Sequence, residues 1–188
     1  CIGSFVTPAD PAAPTAASSY PCADGGPCQV GDIGPGGGIV FYVHDAGTFA
    51  CGAALELTCA YLEAAPTSGT SAWTDVALAF SGNTTDWLLS DSALGYGYKN
   101  TIGFIAQNAT ENTAITSATA YRGPNNLSDW FLPSTTELQY LQNQSALVGG
   151  FQQDWYKSSS GCCSRRLDGI NFGTGISDSS RFKSDRHY

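Results

Sequence analysis

The sequence predicts an α+β fold, with short strands and helices in separate parts of a single domain. Three observations support this fold class. Residues Ile39–Val43 are β-branched and aromatic, as in a buried strand. A helix start signal at Ser134 precedes an amphipathic helical pattern. From residue 158 to the end, short strand-like runs alternate with residues that favour turns. The 188 residues suffice for one buried core.

The composition limits the classes of partner and the compartment. The chain carries a formal net charge of −8, which disfavours nucleic acids and anionic membranes as main partners. Hydrophobic residues make up 42% of the chain and charged residues only 13%, so we expect a globular protein with a neutral, hydroxyl-rich surface. No apolar run approaches the length of a membrane span. Seven cysteines in such a chain indicate an oxidising, extracellular compartment.

The first 28 residues are predicted to form a tether. Residues 1–20 are rich in Pro, Ala, Ser and Thr and contain little to bury. Cys22 and Cys28 flank a tight turn, so we expect a small disulfide-closed loop at the end of the tether. Cys1 is a candidate for lipid attachment, the alternative being that the numbering simply starts there. The binding domain then covers residues 29–188.

Cys51 and Cys59 flank a second short loop and form a second candidate disulfide. Sequence alone does not determine the connectivity, and Cys1 and the adjacent Cys162 and Cys163 remain unassigned. A zinc site is the alternative use of these residues. It is disfavoured because the chain has no Cys-x-x-Cys pair and its histidines are His44 and His187.

A glycine-rich segment, Val30–Gly38, leads into the strand Ile39–Val43. A phosphate-binding loop would lie between a strand and a helix, and would carry a lysine or a helix N-terminus. Here the glycines precede a strand, so a tight turn into that strand is the favoured interpretation. Residues 61–65 form a second predicted strand, which ends at Pro66.

The first predicted helix begins near Gly97 and has apolar residues at helical spacing to about Ala109. We expect it to continue loosely toward Tyr121. The segment before it is loop-like, with Trp73 and Trp87 as predicted core anchors.

The second predicted helix follows a buried aromatic run, Trp130–Leu132, which Pro133 ends. Ser134 and Glu137 have the spacing of a capping box, in which each side chain bonds the other's backbone N–H. Behind this cap, Leu138 and Leu141 lie one helical turn apart and give the helix a buried side.

Five ordered blocks between residue 29 and the end resemble a bacterial domain family typified by the C-terminal domain of the Legionella collagen-like adhesin. The blocks are Val30–Tyr42, Tyr61–Pro66, Gly97–Thr101, Ser128–Ser134 and Tyr156–Ser160. The resemblance implies a C-type lectin-like fold with a small twisted antiparallel sheet, two helices and long loops. It also implies a secreted or surface-displayed adhesin or lectin that binds glycans or host surface molecules.

The chain departs from that family at two places. Lys157 stands where family members usually have Trp, and the sequence stops at Tyr188, before the further strand with which they end. Either the chain was cut or only its ordered part is recorded, and in both cases we expect the last strand of the sheet to be incomplete.

The C-terminal segment, residues 158–188, has an unusual composition. It holds four of the five arginines, and all of its residues except Lys183 can be encoded by codons that end in a pyrimidine. This pattern resembles the variable region of a diversity-generating retroelement target, whose hypervariable end is displayed on a C-type lectin-like scaffold. The alternative is an ordinary exposed, strand-rich end.

Under both interpretations we expect this segment to form an exposed binding surface. Its guanidinium groups can bind carboxylates or sulfates in a bidentate manner. Its aromatic side chains can stack on sugars or fill a pocket in a partner protein. The predicted contact residues are Lys157, Arg165, Arg166, Asp168, Asn171, Arg181, Phe182, Asp185, Arg186, His187 and Tyr188.

An enzyme is disfavoured, although formylglycine-generating enzymes share the broad fold. His44 follows a strand and is better explained as a hydrogen-bonded histidine than as a catalytic base. Cys162 and Cys163 could form a redox pair, but only Arg165 and Arg166 are near in sequence to lower a thiol pKa.

We expect no obligatory cofactor. Calcium is the alternative, with Asn125, Asn126 and Asp129 as oxygen ligands, although calcium takes six to eight oxygens. The competing function is a structural subunit or capping module of a surface filament or stalk. In that case an incomplete sheet edge would be completed by a neighbouring copy.

Overall fold

The computed structural model describes residues 21–66, 91–106, 114–161 and 166–182. The tether residues 1–20 and the predicted core anchors Trp73 and Trp87 lie outside these ranges. Within them the chain is mixed α and β, as predicted.

The elements follow one another in short segments. After a single 3-10 turn, the order is β1 (Ile39–Val43), β2 (Phe49–Cys51), β3 (Leu57–Cys59), β4 (Tyr61–Ala64), α1 (Tyr96–Ala106), α2 (Ala114–Ala120), α3 (Thr135–Asn143), α4 (Ser145–Val148), β5 (Trp155–Lys157), β6 (Arg166–Asn171) and β7 (Ser177–Phe182). The strand predicted at Ile39–Val43 is confirmed, and the one predicted at 61–65 is confirmed to within one residue.

The strands pair into three small antiparallel sheets rather than one. β1 pairs with β4, β2 pairs with β3, and β6 lies between β5 and β7. The expectation of one sheet and two helices is therefore wrong for the described residues, which contain four helices. One extra helix arises because α3 ends at Asn143 and, after the capping residue Gln144, a further turn, α4, follows before Gly149. Gly149 has a positive φ of 77°, which glycine adopts without strain.

A hydrophobic core joins the first sheet, α3 and the last sheet. Its buried members are Phe41, Leu62, Ala64, Phe131, Leu138, Leu141, Tyr156, Ile170 and Phe172. Trp130 is also fully buried, with its ring 5.1 Å from that of Tyr121 in an edge-on arrangement. The aromatic run before Pro133 thus enters the core as predicted.

The start of α3 has the predicted capping box. The hydroxyl of Ser134 accepts from the N–H of Glu137 at 3.3 Å, and the Glu137 carboxylate accepts from the N–H of Ser134 at 2.8 Å. Two orphan donors at the helix N-terminus are satisfied in this way. Leu138 and Leu141 are buried behind the cap.

Two disulfides are present, and they join the pairs that the loop spacings suggested. Cys22 bonds to Cys28, and Cys51 bonds to Cys59 across the β2–β3 hairpin. The sulfur pairs are compatible with an extracellular location. Cys1, Cys162 and Cys163 lie outside the described residues.

Candidate ligand-binding surface and its support

The predicted binding surface includes the three-stranded sheet near the C-terminus. In its register, Lys157 on β5 pairs with Gly169 on β6, and Gly169 pairs with Asp178 on β7. Because paired residues of antiparallel strands share a face of the sheet, Lys157 and Asp178 lie on one face with a glycine between them. A cation and an anion therefore flank a position without a side chain.

The two described arginines of the predicted set lie near each other in the same sheet. Arg166 pairs with Phe182, and Arg181 pairs with Leu167, the next residue along β6. This register places Arg166 and Arg181 at neighbouring positions on adjacent strands. Five residues of the predicted set lie outside the described ranges: Arg165, Asp185, Arg186, His187 and Tyr188.

Asp168 and Asn171 belong to the predicted set, and their side chains make internal hydrogen bonds. One carboxylate oxygen of Asp168 accepts from the Thr135 hydroxyl at 3.0 Å. The amide oxygen of Asn171 accepts from the N–H groups of Gly173 and Thr174 at 2.9 and 3.0 Å, which closes the turn between β6 and β7. These contacts give both residues a role in shaping the surface.

Directly after β5 comes a buried polar cluster that we call the serine support, Ser158–Ser160. All three serines are buried. The backbone N–H and the hydroxyl of Ser159 both donate to the carbonyl oxygen of Pro133, at 2.6 and 3.0 Å. The hydroxyl of Ser160 donates to the carbonyl of Asp91 at 2.8 Å. The cluster fixes the end of β5 to segments remote in sequence.

The support also holds β6 at Asp168, the third residue of that strand. The N–H of Ser158 donates to the carbonyl of Asp168, and the N–H of Asp168 donates to the carbonyl of Ser160, both at 2.9 Å. Thr135, at the start of α3, contacts the same cluster because its N–H donates to the Ser160 hydroxyl at 3.0 Å. These buried hydrogen bonds restrict the geometry of the cluster, although one carboxylate oxygen of Asp168 is buried without a hydrogen-bond partner among the described residues.

Helix α1 completes the support. The side-chain amide of Asn100, a buried residue, donates to the carbonyl of Asp91 at 2.7 Å and to the hydroxyl of Ser159 at 3.4 Å. The next residue, Thr101, accepts from the N–H of Leu132 through its hydroxyl at 3.1 Å. The sequence blocks 97–101, 128–134 and 156–160 therefore meet in one place.

The glycine-rich segment holds a carboxyl group supplied by the chain itself. The fully buried carboxylate of Glu63 accepts from the N–H of Gly36 at 2.8 Å and from the N–H of Gly38 at 3.0 Å. A Cβ atom on Gly36 would lie 2.6 Å from a Glu63 oxygen, so a side chain does not fit there. These amides are engaged by Glu63 at the place where a phosphate-binding loop would hold a phosphate.

A second buried carboxylate, that of Glu137, joins the starts of two helices. Besides Ser134 at the start of α3, it accepts from the N–H of Gly95 at 2.8 Å and of Gly97 at 3.3 Å, where α1 begins. Burial raises the pKa of Glu137 from 4.5 to about 7, and the hydrogen bonds from Ser134, Gly95 and Gly97 act in the opposite direction.

His44, the histidine within the described residues, takes part in an aromatic cluster. Its Nδ1 atom is 2.8 Å from the hydroxyl of Tyr42, and its ring packs edge-on against Phe49 at 5.6 Å. Burial and the neighbouring Tyr140 raise the pKa of Tyr42, which is opposite to what an activated phenolate requires. The contacts agree with a hydrogen-bonded structural histidine.

The loop suggested as a calcium site, which contains Asn125 and Asn126, contacts the glycine-rich segment. The side-chain amide of Asn125 donates to the carbonyl of Pro35 at 2.8 Å, which ties the loop to the glycine-rich segment. Asn126 has a positive φ of 59° in the adjoining turn. Within the described ranges, no group of three His, Cys, Asp or Glu side chains could hold a metal ion.

Sequence reasoning did not single out Glu63, Asn100 or the serine support as determinants of the site. These residues lie inside the sequence blocks quoted for the resemblance, but the blocks do not indicate which residues they contact.

Comparison with protein-family models, curated proteins and solved structures finds no match for this chain. None of the helices in the described part of the chain has the length and apolar character needed to cross a membrane.

Proposed function

We propose that this chain is a non-enzymatic, extracellular binding domain with a C-type lectin-like fold. It recognises a glycan or protein ligand through a C-terminal surface. That surface comprises Lys157, Arg165, Arg166, Asp168, Asn171, Arg181, Phe182, Asp185, Arg186, His187 and Tyr188. It is displayed at a bacterial cell surface or secreted, and the two disulfides are compatible with that location.

The observation that carries the proposal is that buried serines hold the last sheet in place while the strands of that sheet carry charged residues. The serine support fixes the end of β5 and the middle of β6, at Asp168, through buried hydrogen bonds. The strands of the same sheet carry charged residues: Lys157 on β5, Arg166 on β6, and Asp178 and Arg181 on β7. A rigid base with a chemically varied surface is the arrangement that favours binding, because little order has to be gained when the ligand docks.

The charge distribution favours an anionic ligand. Four arginines are concentrated in the last 31 residues of a chain whose net charge is −8. Guanidinium groups bind carboxylates and sulfates through paired hydrogen bonds. Sulfated or uronic-acid glycans and acidic protein segments are therefore the ligand classes expected. A hypervariable origin of this segment, as in retroelement targets, would make the ligand differ between versions of the protein.

The experiment that tests the proposal is a binding screen of the folded chain on a glycan array and on sulfated polysaccharides, with and without EDTA. The test variant replaces Arg165, Arg166, Arg181 and Arg186 by Ala. The matched control is Arg122→Ala, which removes the one arginine outside this segment.

We expect saturable binding by the wild type and by the control, and loss of binding by the fourfold variant at an unchanged melting temperature. Full binding by the fourfold variant would contradict the assignment of the surface. Sensitivity to EDTA would add a calcium requirement. Absence of glycan binding together with self-assembly of the chain would favour the structural subunit instead.

A further inference from the structure

The outer face of the last sheet carries an aromatic side chain that does not belong to the predicted set of contact residues. Trp155 on β5 pairs directly with Asn171 on β6, so their side chains lie side by side on one face of the sheet. The next pair in the register, Tyr156 and Ile170, points to the opposite face and is buried in the core. Trp155 and Asn171 are each partly exposed. The Trp155 ring therefore lies on the face that solvent reaches.

Two side-chain amides meet beside this ring. The Asn171 oxygen accepts from the N–H groups of Gly173 and Thr174, at 2.9 and 3.0 Å, which fixes the orientation of the amide. The exposed Gln153 approaches the same turn, because a Cβ atom on Gly173 would lie 3.2 Å from Asn171 Oδ1 and from Gln153 Oε1. Since position 173 has no side chain, the two amides lie close together. The Asn171 NH₂ group forms no hydrogen bond within the described residues, so a ligand can accept from it.

A partly exposed aromatic ring with neighbouring amides matches the chemistry of a saccharide. The electron-rich face of an indole attracts the polarised C–H groups on one side of a sugar ring. Side-chain amides both donate to and accept from hydroxyl groups, and they are less costly to desolvate than charged groups. A sugar is therefore the ligand class that uses the ring and the amides together.

Lys157 adds a cation on the same face of the sheet. Side chains two residues apart on a strand point the same way, and their Cα atoms are about 7 Å apart. Lys157 therefore follows Trp155 along the outer face of β5. The flexible lysine side chain can span this distance, so its ammonium group can bind a carboxylate of a sugar stacked on Trp155 or of the next sugar in a glycan.

We propose that the outer face of β5 and the end of β6 form a saccharide-stacking subsite for a uronic-acid glycan. The sugar ring packs on Trp155, and its hydroxyl groups bind the amides of Asn171 and Gln153. Lys157 pairs with the carboxylate and so favours uronic acids over neutral sugars. The inference rests on the proposed function, because the subsite is part of the proposed surface, and it names one ligand class among the anionic partners.

Hyaluronan hexasaccharide is a suitable probe, because it contains glucuronic acid and no sulfate. Calorimetric titration of the full chain gives its dissociation constant. We expect Trp155→Ala to weaken binding about tenfold or more, and Trp155→Phe, which keeps a smaller ring, to weaken it less. The control is Leu147→Ala, which truncates an apolar side chain that is 50% exposed on α4, and it should bind as the wild type does.

A second probe, the same hexasaccharide with its carboxyl groups reduced to alcohols, tests the role of Lys157. The wild type should bind the reduced form more weakly than the native form. Lys157→Gln should bind both forms equally, at the affinity of the wild type for the reduced form. Lys99→Gln is the matched control, because Lys99 lies over the ring of Tyr96 on α1, and it should keep the preference for the native form.

Unchanged affinity in Trp155→Ala, or no binding of the hexasaccharide by the wild type, would overturn the subsite. The proposed function is judged separately by the glycan array and the fourfold arginine variant, so either proposal can fail alone. If Trp155→Ala does not fold, saturation-transfer NMR on the wild type decides the point. We expect saturation of the aromatic protons to reach the C–H groups of one sugar face, and equal transfer to both faces would contradict stacking.

Discussion

Ser159 donates both its backbone N–H and its hydroxyl to the carbonyl oxygen of Pro133, at 2.6 and 3.0 Å. This double contact joins the end of β5 to the residue just before the cap of α3. The Ser159 hydroxyl also accepts from Asn100 on α1 at 3.4 Å. One small polar side chain thus connects three parts of the chain that are far apart in sequence.

Replacing Ser159 by Ala should therefore destabilise the fold. The substitution leaves the Asn100 amide without one of its acceptors and removes a buried hydroxyl donor, which costs about 1–3 kcal/mol. Urea unfolding measures the change. Ser177→Ala, at an exposed serine on β7, serves as the control and should stay within about 0.5 kcal/mol of the wild type. Equal stabilities for the two variants would show that the serine support is not structural.

Two glycines of α1 should respond in opposite ways to the same substitution. Gly97→Ala places a methyl group against the Glu137 carboxylate and the Phe131 ring, so we expect a loss of about 1–3 kcal/mol. Gly103→Ala meets nothing within 4 Å and gains helix propensity, which should stabilise the protein by about 0.5–1 kcal/mol. Thermal unfolding of both variants measures the difference. A stabilised Gly97→Ala variant would contradict the described packing at the start of α1.

Glu63→Gln should weaken the glycine-rich segment. An amide NH₂ group would face one of the two backbone donors, Gly36 or Gly38, and leave it without an acceptor, at a cost of about 1–3 kcal/mol. The control is Glu56→Gln, whose carboxylate accepts from Ala54 on the exposed β2–β3 loop. Chemical denaturation should give a lower free energy of unfolding for Glu63→Gln than for Glu56→Gln. A neutral effect at Glu63 would mean that its carboxylate does not hold the loop.

Trp130→Ala should be far more costly than the truncation of an exposed apolar residue. Its side chain is fully buried against Tyr121 and the glycine-rich segment, and removal of a large aromatic residue costs about 3–5 kcal/mol. Ile176→Ala, at a residue with 59% of its surface exposed, is the control and should have little effect. The free energy of unfolding in urea decides the point. A loss of less than about 1 kcal/mol in unfolding free energy for Trp130→Ala would show that Trp130 is not part of the core.

Features carried by local patterns could be predicted from the sequence. The capping box of Ser134 and Glu137 depends on a three-residue spacing, and the strand at Ile39–Val43 depends on residue type. The two disulfides join cysteines that are 6 and 8 residues apart. Each of these features joins residues that are only a few positions apart, so both partners can be identified from the sequence.

The contacts that the sequence did not reveal join distant residues. Glu63 meets Gly36 across 27 positions, and Ser159 meets Asn100 across 59. Neither serine nor glutamate is usually buried, so composition alone predicts exposure for both. The division of the strands into three sheets has a similar cause, since pairing depends on tertiary position rather than on residue type.

The most direct test of the proposed binding surface is the dissociation constant for the strongest ligand of the screen. It is measured for the wild type, for the variant with Arg165, Arg166, Arg181 and Arg186 replaced by Ala, and for Arg122→Ala. We expect at least a tenfold weaker affinity for the fourfold variant, corresponding to about 1.4 kcal/mol, with the control unchanged and all melting temperatures equal. Equal dissociation constants for the three proteins would contradict the claim that the C-terminal surface binds the ligand.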